Sequence, residues 1–144
     1  MLTFNKLNFG SRTILGLSGV AGSGKDTFFS LLSQKLSFQR FALADELKIL
    51  TRKDLLKKYN VDILNCTRDE KDLVRNDLVL FAKQKRLDSC GKFWTDILSK
   101  KIQESSAKYI CITDIRHNWF SKDEVFWLKN ILGGRLVDIS SYDP

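Results

Sequence analysis

The chain has 144 residues, 43% of them hydrophobic, and a formal net charge of +7 from 24 Lys and Arg against 17 Asp and Glu. That length suits one domain with a real core. No apolar run reaches bilayer length, no low-complexity tract or internal repeat is present, and three scattered cysteines (Cys66, Cys90, Cys111) make neither a disulfide framework nor a zinc motif.

Residues 1–12 are a polar lead-in without the charged-then-apolar layout of a signal peptide, so a cytoplasmic protein is expected. Thr13 to Ser18 reads as a strand, apolar on both faces and therefore central and parallel. Gly19-Val20-Ala21-Gly22-Ser23-Gly24-Lys25-Asp26-Thr27 follows, opening a helix from Asp26 to about Leu36. Strand, glycine loop and helix in this order is the context of a phosphate-binding loop. The glycines let the backbone turn its N–H groups inward, the helix start adds unpaired donors and a positive dipole end, and Lys25 adds a mobile cation. The site expected to hold the phosphates of ATP is thus Gly19, Gly22, Ser23, Gly24, Lys25, Asp26 and Thr27. Thr27 stands one place later than the hydroxyl of the simple pattern, because Asp26 follows Lys25 directly.

The first helix carries Phe28, Phe29, Leu31, Leu32 and Leu36, a stripe suited to packing on a sheet. Phe38 to Ala44 reads as a second strand. From Asp45 to Ala107 the pattern is helical. It comprises one or two short helices, a loop near Asn60–Cys66, a long helix over about Arg68–Arg86, and another marked by Phe93, Trp94, Ile97, Leu98 and Ile102. Lys108 to Thr113 is a third strand. Ser121 and Glu124 have capping-box spacing and open a helix with Val125, Leu128 and Leu132 inward; Arg135 to Ser140 is a fourth strand.

In α/β folds, ligands bind beyond the C-terminal ends of strands. Asp45 follows the second strand, where it could equally cap a helix, and Asp114 and Arg116 follow the third. Asp114 and Thr27 are the candidate Mg²⁺ ligands; Arg116 could stabilise charge on a transferring phosphate. In the long helix, Arg68, Arg75 and Arg86 fall within roughly 20° of one line. Leu73, Val74, Leu78, Leu80 and Phe81 lie opposite, so the arginine face is either solvated or turned to an open cleft, with Arg86 the best phosphate contact. Trp94 fits the core by its spacing and could also stack on a base. The positive charge suits a phosphorylated small molecule, and no nucleic-acid-binding motif accompanies it.

Gly19–Thr27, Phe41-Ala42-Leu43-Ala44-Asp45-Glu46-Leu47-Lys48, Thr113-Asp114-Ile115-Arg116 and the Gly133-Gly134 pair together resemble the phage-type deoxynucleoside monophosphate kinases, within the P-loop nucleoside monophosphate kinase group. The likeness spreads over about residues 13–140. It implies a three-layer α/β P-loop fold, with a parallel sheet in the order second, third, first, fourth strand. It implies a single domain over 1–144, carrying a helical monophosphate-binding arm at about 45–107. The implied activity is transfer of the ATP γ-phosphate to a dNMP with Mg²⁺, in the host cytoplasm if the chain is phage-encoded. Lys25, Asp45 and Arg116 would be catalytic, and Asp45, Lys48, Arg75, Arg86, Trp94 and Arg116 would face the acceptor. Two departures stand out: Glu46 occupies a position where the family often has proline, and the stretch from His117 to Asp123 is longer than expected. The family also continues into a lid and a fifth strand that 144 residues do not hold. Completion by another chain, association through the edge strand as a homodimer, and nucleotide binding without turnover are therefore alternatives. A kinase for another phosphorylated acceptor, of the dephospho-coenzyme A or phosphomevalonate type, and a basic nucleic-acid-binding ATPase are the further rivals.

Overall fold

In the computed structural model, residues 11–20 and 22–140 are described. Expectations for the first ten residues, for Ala21 and for the last four lie outside them. Four strands, β1 (Thr13–Ser18), β2 (Phe38–Phe41), β3 (Tyr109–Ile112) and β4 (Arg135–Asp138), form one sheet in the order β2-β3-β1-β4. Every pairing is parallel: Leu15 faces Cys111 on one side and Arg135 on the other, and Arg40 faces Cys111. The chain is therefore α/β with an all-parallel sheet in the expected order. Ile14, Leu17, Ile110 and Ile112 are buried, as strands that continue apolar on both faces require.

Single hydrogen bonds extend the ladder past the strand ends. Thr113 N–H donates to Phe41 O at 3.0 Å, Ile115 N–H to Leu17 O at 2.9 Å and Ile139 N–H to Ser18 O at 2.8 Å. These bonds bring the C-terminal ends of all four strands to one edge of the sheet.

The helices are α1 (Lys25–Lys35), α2 (Leu43–Tyr59), α3 (Arg68–Asp88), α4 (Phe93–Glu104) and the short α5 (Glu124–Phe126), which runs into a π-helical turn over Trp127–Ile131. Trp94, Leu98, Ile102, Trp127, Leu128 and Leu132 close over the sheet and form the main core with Ile110, Ile112 and Ile115. Leu55, Val61, Ile63, Val74 and Leu78 form a second cluster between α2 and α3. No helix among the described residues is long and apolar enough to cross a membrane.

Four local expectations are corrected. The second strand stops at Phe41 and α2 is one continuous helix from Leu43, so Asp45 lies in its first turn and Ala42 is its N-cap. The apolar stripe of α1 is only partly covered: Phe28, Phe29 and Leu32 are half-buried, while Leu31 and Leu36 are exposed. In α3, Val74 and Leu78 are buried, but Leu73 and Leu80 are 60% and 65% exposed, so the buried face is narrower than the sequence suggested. The Ser121–Glu124 box does not form, because Asp123 is the N-cap and the Glu124 carboxylate turns to the preceding loop. The capping box that does form is Thr67–Glu70, at the start of α3. Its Thr-x-x-Glu spacing was equally visible in the sequence.

Candidate functional site

The glycine loop joins β1 to α1 in a conformation that its residue types alone permit. Gly19 has φ +144°, and a Cβ there would meet Ile139 O and come within 2.7 Å of Ser23 Oγ. Gly24 has φ +99° and is the N-cap of α1. Among the described residues no side chain caps this helix, and none accepts from the N–H groups of its first turn, which are donors in search of an acceptor. Ser23 Oγ is buried and has no hydrogen-bond partner among the described residues. A buried, unpaired hydroxyl costs about 1–3 kcal/mol. An anion seated on the loop would supply the missing acceptor. Lys25 Nζ folds across the loop and donates to Gly19 O at 2.7 Å. Asp26 and Thr27 are exposed in the first turn of α1.

Two cavities open at the C-terminal edge of the sheet. The one beside the glycine loop, about 480 Å³, is lined by Ser18, Gly19, Val20, Ile115 and Arg116. The other, about 620 Å³, lies between the α2–α3 arm and the loop after β3. Its walls are apolar: Leu43, Leu47, Leu78, Ala82, Trp94 and Phe120 contribute. Lys48, Lys71, Arg75 and Lys83 line it with positive charge from the arm. Arg116 lines both cavities.

The loop after β3 is built around a buried ion cluster. Arg86, near the end of α3, donates from Nη1 to Asp123 Oδ1 at 2.7 Å, from Nη2 to Asp123 Oδ2, and from Nη1 to Glu124 Oε2 at 3.2 Å. Its guanidinium also lies over the rings of Trp119 and Phe120, at 5.8 and 5.3 Å from their centroids. Asp123 accepts from the N–H groups of Trp119, Phe120 and Glu124 as well. Burial alone would raise its carboxyl, but Arg86 and these N–H donors hold it below the ordinary carboxylate value. Glu124 Oε1 accepts from the backbone N–H of Arg116 at 3.0 Å and of His117 at 3.4 Å. Burial nevertheless pushes the Glu124 carboxyl up to about 7, against the pull of those donors and of Arg86. Burial, then the charges of Arg86 and Arg116, press the His117 imidazole below its usual value, although Asp123 opposes them.

Asp114 shows how the arm is docked. Its Oδ1 and Oδ2 each accept at 2.8 Å, from the N–H groups of Leu43 and Ala44 respectively. A carboxylate from the end of β3 thus caps α2, the role that the sequence offered to Asp45. Burial raises the Asp114 carboxyl, and the two N–H donors then Arg116 oppose that shift.

No family model, no curated protein and no solved structure matches the chain.

The structure brings Lys48, Arg75, Arg86, Trp94, Asp114 and Arg116 to the walls of the larger cavity, and Gly19 with Arg116 to the smaller one. Asp45 lines neither; it pairs with Arg40 at 3.0 Å on the surface. The arginine line of α3 is broken up. Arg68 is exposed, Arg75 pairs with Asp72 at 2.6 Å, and Arg86 is buried with its charge met by two carboxylates. Angular position on an ideal helix could not reveal that partners 37 and 38 residues away neutralise one of the three. Trp94 is buried, its indole N–H donates to Ala82 O at 3.3 Å, and its ring packs edge-on against Phe93. Glu46, at the position where proline was anticipated, is buried and bonded to Lys101 at 2.6 Å, tying α2 to α4. Sequence reasoning missed Trp119 and Phe120, which sit in the long stretch between His117 and Asp123, and it missed the cations Lys71 and Lys83. The unexpected length of that stretch was the only signal pointing to the aromatic pair.

Among the described residues, no group of three or more His, Cys, Asp or Glu could form a metal cage. The donors present fit an ion held mainly by phosphate oxygens and water, with the exposed Thr27 hydroxyl as its protein ligand. Each Asp114 oxygen accepts one N–H from α2, which holds the carboxylate in place and leaves it acceptor capacity for water or a cation.

Proposed function

We propose that the chain is a P-loop kinase that transfers the γ-phosphoryl group of ATP to a deoxynucleoside monophosphate, giving the dNDP. The observation that carries this reading is the position of Arg116, which lines both the cavity beside the glycine loop and the apolar cavity edged with cations. In the reaction, the bond between the γ-phosphorus and the β,γ-bridging oxygen of ATP breaks. A bond from an oxygen of the acceptor phosphate to that phosphorus forms. The protein's task is to position the two and to stabilise the charge between them.

The first-turn N–H groups of α1 and the Ser23 hydroxyl would hold the ATP phosphates. Lys25, released from Gly19 O, would reach the transferred group. Mg²⁺ carried in with ATP would neutralise phosphate charge, with Thr27 as its protein contact. Lys48, Lys71, Arg75 and Lys83 would attract and orient the acceptor phosphate, and the apolar walls would take its base. Arg116 would stabilise the charge that develops in transfer. Asp114 would act indirectly, by fixing the start of the arm. Arg86 would also act indirectly, by fixing the loop that carries Arg116.

Incubation with ATP and each dNMP should yield dNDP. Lys25→Ala should cut turnover by about 10²–10³-fold, the usual cost of removing a group that stabilises transition-state charge. No transfer to any dNMP would refute the reading. Nucleotide binding without turnover would make the chain a binding module. Transfer only to dephospho-coenzyme A or phosphomevalonate would change the acceptor, and ATP hydrolysis stimulated by DNA would indicate the nucleic-acid alternative.

A further inference from the structure

We propose that Trp119 is the platform on which the acceptor's base stacks, so that the site recognises the face of the base rather than its edge. This rests on the reading that the larger cavity receives the acceptor. The chain has three tryptophans. Trp94 and Trp127 are 8% and 3% exposed and belong to the core, whereas Trp119 is 82% exposed and lines the cavity. An indole left in water at the wall of an apolar cavity has a large surface still to bury.

The backbone that carries the ring is nevertheless held in place. The Trp119 backbone N–H donates to Asp123 Oδ2 at 2.9 Å, and the neighbouring Phe120 backbone N–H donates to the same oxygen at 3.1 Å. The His117 ring meets the indole edge-to-face at 5.4 Å, and the Arg86 guanidinium lies over it. Asp123 itself is fully buried and locked to Arg86. The buried ion cluster thus presents an exposed aromatic on an anchored loop, which lowers the ordering cost of stacking on it.

Trp94, the other indole of the cavity, is less suited to the task. Phe93 packs against it at 4.8 Å and Phe81 at 6.2 Å, and its N–H is already bonded within the arm. Among the described residues the cavity's lining includes no Asn, Gln, Ser or Thr, and Arg86 and Glu124, which could also bond a base edge, are engaged with each other. Stacking on an aromatic tolerates any base because every base has a π-face. The site should therefore accept several dNMPs, with purines bound more tightly than pyrimidines.

The test titrates the full chain with each dNMP and with baseless deoxyribose 5-phosphate, followed by calorimetry and by tryptophan emission. Because Trp119 is the exposed indole, dNMP binding should quench the red-shifted emission and shield it from acrylamide. Trp119→Ala should weaken dNMP binding by about 10- to 100-fold. It should leave deoxyribose 5-phosphate binding unchanged, and Trp119→Phe should restore most of the dNMP affinity. Equal dNMP affinity in wild type and Trp119→Ala would overturn the stacking role and leave the acceptor reading intact. Equal weakening of the dNMPs and the baseless sugar phosphate would also overturn it, because the ring would then act on the loop rather than on the base. If no dNMP binds the wild-type chain, the acceptor reading falls and the stacking role falls with it.

Discussion

Replacing Arg86 with Met separates a structural arginine from a ligand-binding one. Met keeps much of the side-chain volume, so the change removes charge and hydrogen bonds rather than opening a large cavity. Three charge-assisted contacts disappear, two to Asp123 and one to Glu124. Breaking a buried ion pair from one side costs about 3–5 kcal/mol, because the partner charge is left buried without compensation. Asp123 would keep its three backbone N–H donors, which points to the lower end, about 3 kcal/mol. The loss should depend on pH. Without Arg86, the backbone donors alone oppose burial, and the folded Asp123 carboxyl should rise relative to the wild type. The folded variant then binds the proton more tightly than the folded wild type, so the loss shrinks as pH falls. Urea unfolding followed by far-UV circular dichroism, at about pH 5 and about pH 7.5, would measure both effects. The triple variant Arg86→Met, Asp123→Asn, Glu124→Gln should recover a substantial part of the loss, since it removes the stranded charges. A loss under about 0.5 kcal/mol at the higher pH, within the usual range of surface substitutions, would refute the structural role. A loss no greater there than at the lower pH would refute the charge argument.

Glu124→Gln should flatten the pH dependence of stability. The folded carboxyl titrates at about 7 against an ordinary value of 4.5, so the wild type binds the proton more tightly when folded and loses stability as pH rises through that window. The loss is on the order of 3 kcal/mol, and a wild-type stability that does not fall across the window would contradict the assignment. Asp114→Ala should cost about 1–2 kcal/mol through loss of the α2 cap, and Asp114→Asn should retain part of it. Equal unfolding midpoints for wild type and Asp114→Ala would show that the cap contributes nothing. Arg116→Ala should lower kcat by about 10²-fold and leave stability within about 0.5 kcal/mol. A rise in KM at constant kcat would instead mark Arg116 as a binding group.

Much of this protein follows from local sequence. The order of elements is written in the change from continuous apolar runs at Thr13–Ser18 and Tyr109–Ile112 to helical spacing between them. The sheet order came from the likeness of a few short blocks to a family, and the strand pairing agrees with it. The shape of the glycine loop was legible because the positive φ angles at Gly19, Gly22 and Gly24 need glycine, and that is a property of adjacent residues. Even so, the partial cover of α1 and the exposed Leu73 and Leu80 of α3 show that apolar spacing records which face can be buried, not which neighbour arrives to bury it.

Tertiary structure decided the pairings between residues distant in the chain. Asp114 caps a helix that starts 71 residues earlier, and Arg86 meets carboxylates 37 and 38 residues later. Arg86 had looked like a phosphate ligand because it shares a helix line with Arg68 and Arg75, and Asp114 like a metal ligand because it follows a strand end. A charge in sequence has no partner until the fold supplies one, and partner and burial together decide whether it binds a ligand or holds the structure. The same holds for Trp119. Its residue type predicts burial, and only the anchoring of its loop by Asp123 and Arg86 leaves it open at the wall of the cavity.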